Sequence, residues 1–248
     1  VTPPLVAVAH GSRDPRSAAT VRALVDVVRA RAPGLPVSES FLDLSEPRVT
    51  DVLRELYAAG HRTAVVVPLL LGSAFHARVD LPALVSSVTA ECPGFRVRVS
   101  DVLGADPAAL EAVALDRLSP APRRRGTGVL LSAVGSSNAS ANAVVAALAE
   151  RWEERLGLPV SEAFASATQP DIPTAAARLR DRGVKHLIVA SWFLAPGLLP
   201  DRIARLAREA DPGAFIAAPL ADDPRVADVV IGRYATAVTG LLRAGAYV

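Results

Sequence analysis

Short apolar runs and longer segments of helical periodicity alternate along the chain, the pattern of βα units built on a parallel sheet. Leu5 to Ala9 is apolar throughout and has strand length. Between Arg16 and Arg31, Val21, Leu24, Val25 and Val28 fall at helical spacing and predict an amphipathic helix. Pro36 to Leu42 reads as a second strand, and Arg48 to Ala59 as a helix stopped at Gly60. Ala64 to Leu71 is apolar enough for a strand in the middle of a sheet covered on both faces. A helix over Ala77 to Cys92 halted by Pro93-Gly94, a strand over Phe95 to Val99 and a helix over Pro107 to Leu118 complete the set.

The aperiodic, Pro- and Arg-rich stretch 119–127 then reads as a linker, after which the same elements begin again. Val8-Ala9-His10-Gly11-Ser12 is echoed by Ser132-Ala133-Val134-Gly135-Ser136. Pro36-Val37-Ser38-Glu39-Ser40-Phe41 is echoed by Pro159-Val160-Ser161-Glu162-Ala163-Phe164, with Pro47 and Pro170 following at the same interval. Asp106-Pro107 returns as Asp223-Pro224. The order and spacing predict a duplicated α/β domain: a first lobe over 1–118, the linker 119–127 and a second lobe over 128–248. A length of 248 residues suits two such domains.

Composition narrows the partners. Apolar residues make up 51% of the chain, enough for a core in each lobe, and the formal charge is only +2. Lys185 is the sole lysine, so the positive charge is almost all arginine, without the broad basic stripe of a nucleic-acid binder. Cys92 stands alone, which excludes an internal disulfide and a cysteine metal cage. The apolar stretch Leu187 to Leu199, interrupted by Ser191 and Pro196, is too short to span a bilayer. No membrane association, no secretory leader and a cytoplasmic location are expected.

In open parallel sheets ligands bind beyond the carboxyl ends of the strands. His10 follows the first strand, Asp43 follows the second, and His76 lies a few residues past the third, so these loops are expected to converge. The second copy is an internal control: it places Val134 at the position of His10, Leu199 at that of His76, Ser166 at that of Asp43 and Gln169 at that of Glu46. Gly11, Ser12 and both prolines persist as Gly135, Ser136 and Pro170, while every side chain able to bind metal is gone. One working site and one silent lobe follow. His61 and His186 precede the third strand of each copy, at the opposite end of the sheet, and receive no role. Neutral imidazoles bind borderline divalent metals, and a pair of them makes an open site suited to a metal that is handed on; they also accept protons near neutral pH.

These residues resemble the class II chelatases, which insert a divalent metal into sirohydrochlorin. The resemblance rests on Val8-Ala9-His10-Gly11-Ser12-Arg13, on Phe41-Leu42-Asp43-Leu44-Ser45-Glu46-Pro47, and on Val67-Pro68-Leu69-Leu70-Leu71-Gly72 followed by His76 and Asp80-Leu81-Pro82. It implies two tandem flavodoxin-like, chelatase-like domains, each a four-stranded parallel sheet flanked by helices. It implies further that His10 and His76 bind the metal and take the two pyrrole protons. Asp43 would be the third ligand; the family commonly has Glu there, one methylene longer, and Glu46 is the fallback. Around them, Ser12, Arg13, Phe75, Leu71 and Arg78 would contact the macrocycle and its carboxylates, whereas Arg16 reads as an ordinary solvated arginine. Trp192 and Phe193 with Pro196 to Leu199 occupy the corresponding loop of the second copy and are expected to cover the macrocycle. The substrates would be sirohydrochlorin and Fe2+, Co2+ or Ni2+, with no organic cofactor. No P-loop is present, so ATP is not expected. A monomer is expected, its fused lobes replacing a dimer. The competing readings are a non-catalytic metal carrier or tetrapyrrole-binding protein, and a histidine phosphatase, which would want Arg where Ala9 stands.

Overall fold

The computed structural model describes residues 2–72, 79–166 and 168–245, with side chains through residue 241. It forms two compact units, Val1–Leu110 with Ala221–Val248, and Glu111–Leu220.

The first unit starts with β1 (Leu5–Ala9), α1 (Pro15–Arg31), β2 (Val37–Phe41), α2 (Val49–Ala58), β3 (Thr63–Pro68), α3 (Leu81–Glu91) and β4 (Arg96–Val99). Its sheet is wholly parallel in the order β2-β1-β3-β4, with Leu5 opposite both Val37 and Val65. That order places β1 between β2 and β3, so the loops after all three strands leave the same edge. Along β1 and β3, Val6, Val8, Ala64 and Val66 face Leu53, Val52, Leu81, Val85 and Val88 of α2 and α3 in one buried cluster. Leu5, Ala7, Val65 and Val67 are equally buried and, by strand alternation, lie on the opposite face. Fully burying each Val or Leu stabilises by about 1.5–3 kcal/mol relative to exposure.

Local chemistry fixes where the elements start and stop. α1 opens one residue earlier than its periodicity predicts, because Pro15 takes the first turn and the Asp14 carboxylate accepts the Arg16 N–H at 3.0 Å. The third strand ends at Pro68 rather than at Leu71, although Leu69 still donates to the Val8 carbonyl at 2.7 Å. Likewise α3 starts at Leu81 with Pro82 in its first turn; the expected helix start at Ala77 lies outside the described residues.

After α4 (Ala108–Asp116), the second unit contains β5 (Thr127–Ala133), α5 (Ala139–Leu156), β6 (Val160–Phe164), α6 (Ile172–Asp181), β7 (His186–Ser191), α7 (Leu198–Ala210) and β8 (Phe215–Ile216). Its parallel sheet has the matching order β6-β5-β7-β8. Leu130, Val189, Ile172, Leu179, Phe193 and Ile203 form the core on one face. The duplicated α/β architecture read from the sequence is therefore present, strand for strand.

The compact units do not follow the expected division at 118 and 128. The last helix, α8 (Pro224–Gly245), packs on α1, β3 and β4 of the first unit, while α4 carries Glu111 into an ion pair with Arg151 of α5 at 2.5 Å. Apolar burial decides this assignment: Val226, Ala227 and Val230 are buried, and the Tyr234 hydroxyl donates to the Pro3 carbonyl at 2.6 Å. Arg31 adds a bidentate pair to Asp228 at 2.6 and 2.7 Å. A chain ending at Leu220 is expected to lose the cooperative unfolding of its first unit, to bind a hydrophobic dye and to be cleaved by protease on the N-terminal side of Leu110. An unfolding transition and cleavage pattern matching the full chain would contradict that assignment.

Candidate active site at the end of the first sheet

The pairing of β1 with β2 continues beyond the regular strands. Leu42 N–H donates to Ala9 O and Asp43 N–H to His10 O, each at 2.9 Å. The main chains of His10 and Asp43 are thereby held side by side at the carboxyl edge of the sheet. Gly11 makes the approach feasible: its φ is +93°, and a Cβ there would sit 1.6 Å from the Asp43 carbonyl oxygen. Ser45 laces the loops together by accepting the Ser12 N–H at 3.1 Å and donating to the Ser12 carbonyl at 3.0 Å.

His10 is half-buried, and its Nδ1 lies 3.2 Å from Gly11 O. This contact fits the tautomer in which Nδ1 carries the proton and Nε2 the lone pair, an assignment made from the hydrogen bond. Asp43 is exposed, and its Oδ1 accepts the Leu44 N–H at 2.8 Å and Arg48 Nη1 at 2.7 Å. The Arg48 hydrogen bond foremost, and then the Leu44 N–H, hold the Asp43 carboxyl below the ordinary aspartate range. Asp43 therefore offers a carboxylate, not a proton, at neutral pH.

Arg48 is the residue that motif reading missed. It stands at the N-cap of α2 without capping it with its side chain. Instead Nη1 reaches Asp43 Oδ1 and, at 3.3 Å, Leu42 O, while Nε reaches Glu46 Oε1 at 3.2 Å. The available signal was in the repeat, where the same position is Asp171, an ordinary cap whose carboxylate accepts the Thr174 N–H at 2.9 Å.

The remaining candidates divide. Arg13 is exposed, Ser12 is half-buried with its Oγ accepting the Asp14 N–H at 3.1 Å, and Arg16 is solvent-exposed while pairing with the buried Asp14. Of the apolar run, Leu69 is core, whereas Leu71 is half-buried with its carbonyl pressed against Gly104, where a Cβ would sit 1.8 Å away. His76, Phe75 and Arg78 lie outside the described residues. Among the described residues no group of three or more His, Cys, Asp or Glu side chains is arranged to hold a metal.

The second unit repeats the main-chain rungs of this frame, although the Ser136 N–H goes to Asn142 Oδ1 at 2.9 Å where the Ser12 N–H goes to Ser45. Ala165 N–H donates to Ala133 O and Ser166 N–H to Val134 O at 2.9 Å, and Gly135 has a φ of +84°. The peptide bonds before Pro47 and Pro170 are both cis. The Asn138 N–H bonds Ser136 Oγ at 3.1 Å, matching Asp14 on Ser12. Where His10 stands in the first unit, Val134 presents an exposed apolar side chain. The expectation that Trp192 and Phe193 cover a macrocycle is not met: both are buried, Trp192 edge-on to Trp152 at 6.5 Å and Phe193 in the core cluster. Aromatic area of this size goes into the core unless a polar edge holds it out.

The CbiX family model matches residues 4–120 and again 128–237, one match on each copy. The chain belongs to the CbiX family. Its relatives include the sirohydrochlorin ferrochelatase of Bacillus subtilis, 27% identical over 91% of this chain and 88% of that protein. A sirohydrochlorin cobaltochelatase of Priestia megaterium is 24% identical over 82% of this chain and 67% of that protein. The structure of SirB from Bacillus subtilis with Fe3+ shares the fold, with a TM-score of 0.79 and 23% identity over 94% of each chain. The class II chelatase resemblance carried by the His10, Asp43 and His76 loops is thus a family membership.

In this CbiX chain, Gly11→Ala would place a Cβ against the Asp43 carbonyl in a left-handed conformation. It is expected to destabilise by about 2–4 kcal/mol and to weaken Co2+ binding. Gly135→Ala, whose Cβ would meet Ser166 Oγ at 2.6 Å, is expected to destabilise without changing Co2+ affinity. Denaturant melts paired with Co2+ calorimetry read both, and equal Co2+ affinity in the two variants would contradict the prediction.

Proposed function

We propose that this CbiX chain inserts a divalent metal, Fe2+ foremost and Co2+ as the alternative, into sirohydrochlorin at one site on its first unit. The reading rests on the contrast between copies: the same pair of main-chain rungs carries an imidazole and a carboxylate in one copy, and Val134 and Ser166 in the other. If the frame served the fold alone, the chemistry-bearing side chains would have no reason to occupy one copy. The reactions named for its relatives supply the substrate, and the site's donor types suit it.

In this reading His10, through Nε2, and His76 bind the incoming metal, with the Asp43 carboxylate as third ligand. Two imidazoles and a carboxylate suit borderline divalent ions and leave coordination positions open for the macrocycle nitrogens. Insertion exchanges one M2+ for two pyrrole protons. An imidazole that has passed its metal on regains a free lone pair at the moment a proton must be taken up, so the same nitrogens serve as ligand first and proton acceptor second. Asp43, kept ionised beside Arg48, contributes negative charge throughout. Arg13 and Arg78 pair with the substrate's carboxylates, and Ser12, Leu71 and Phe75 line the approach.

Anaerobic insertion of Fe2+ or Co2+ into sirohydrochlorin, followed by absorbance, tests the proposal. Wild-type chain is expected to accelerate insertion, and His10→Ala and His76→Ala each to lose about 100-fold or more of that rate. Stoichiometric metal binding with insertion no faster than the uncatalysed reaction would replace the enzyme with a carrier.

A further inference from the structure

Two acids follow β2, Asp43 and Glu46, and one guanidinium lies between them. Arg48 bonds Asp43 Oδ1 at 2.7 Å through Nη1, shares that nitrogen with Leu42 O at 3.3 Å, and reaches Glu46 Oε1 at 3.2 Å through Nε. The three acceptors span the whole turn that ends beside His10. Leu44, inside the turn, has a φ of +61° and gives its N–H to the same Asp43 oxygen. Exposed ion pairs add little to stability, and with Asp43 61% and Arg48 37% exposed this one has little purchase on the fold. Nor does the Arg48 side chain cap the helix it precedes, whereas the equivalent Asp171 caps α6 directly. The Asp43–Arg48 pair is present as a unit in the first copy and replaced as a unit by Ser166 and Asp171 in the second.

We propose that Arg48 is a positioning residue for metal binding: it commits Asp43 Oδ1 to the guanidinium and the Leu44 N–H, so that Asp43 meets the metal through Oδ2 alone. This rests on Asp43 as a metal ligand in the proposed function. A carboxylate held by a charged donor on one oxygen makes a single bond to a divalent ion and cannot close over it with both. Holding Oδ2 ready before the ion arrives spares binding the cost of ordering the carboxylate, and so tightens it. Outer partners that orient ligands in this way are typically worth about 10–100-fold in metal affinity. The fork of Arg48, unlike a lysine ammonium, reaches Asp43, Leu42 O and Glu46 together.

The test is Co2+ affinity, measured by calorimetry on the full chain without tetrapyrrole, beside the separate KM values for Co2+ and sirohydrochlorin. Arg48→Ala is expected to raise the Co2+ Kd and the Co2+ KM about tenfold, with the sirohydrochlorin KM within twofold. Arg48→Lys is expected to recover only part of that loss, and Arg48→Ala to add nothing in an Asp43→Ala background. An unchanged Co2+ Kd in Arg48→Ala, full recovery in Arg48→Lys, or the same tenfold loss without Asp43 would overturn the proposal. A rise in the sirohydrochlorin KM in place of the Co2+ KM would overturn it too, making Arg48 a substrate-carboxylate contact. Because the calorimetry needs no turnover, a chain that binds Co2+ with this dependence but inserts none would defeat the chelatase reading and leave Arg48 in place.

Discussion

A single main-chain hydrogen bond, from the Asp43 N–H to the His10 carbonyl at 2.9 Å, underlies the arrangement of the site. It prolongs the β1–β2 ladder past its last regular pair, Ala9 opposite Phe41. Two side chains from distant parts of the sequence thereby become neighbours on a rigid sheet edge. The bond needs a close backbone approach, and the approach needs Gly11, where any Cβ would overlap the Asp43 carbonyl. Parallel strands with long crossovers bring their carboxyl ends together at one edge, and the extra rung there converts a generic edge into a defined distance between an imidazole and a carboxylate.

The duplication separates what the fold requires from what the chemistry requires. Both copies keep the extra rung, the left-handed glycine, the serine that anchors the first helix and the proline that closes the second loop. Only the first copy places His10 and Asp43 on that frame, with Arg48 behind them. The frame is therefore a property of the architecture, and function is added to it by side chains. The two units also differ in how they close: α8, from the far end of the chain, completes the first unit, so the copy that carries His10 and Asp43 depends on sequence that its own repeat does not contain.

Much of this is legible in the sequence, because short apolar runs, helical hydrophobic patterns and the repeat all report on burial. The strands themselves, the placement of His10 and Asp43 at one edge, and the loss of both in the second copy follow from those patterns. Element ends shift by a few residues where Pro15 and Pro68 impose their own geometry. The assignment of α8 to the first unit escaped, since an amphipathic helix shows that it has an apolar face but not which sheet receives it. Trp192 and Phe193 misled for a related reason: position in a loop motif does not reveal whether an aromatic ring turns outward or into the core. Arg48 escaped because an arginine before a helix is unremarkable until its acceptors are seen in space.

The central claim is that one copy of the frame is a metal site and the other is not. Crystals of the full chain soaked anaerobically with Co2+ and measured at the cobalt edge test it most directly. The account predicts one anomalous peak per chain, bonded to His10 Nε2 and one oxygen of Asp43, and none beside Val134. A peak at the second unit, or Co2+ bound to the first without His10, would contradict it.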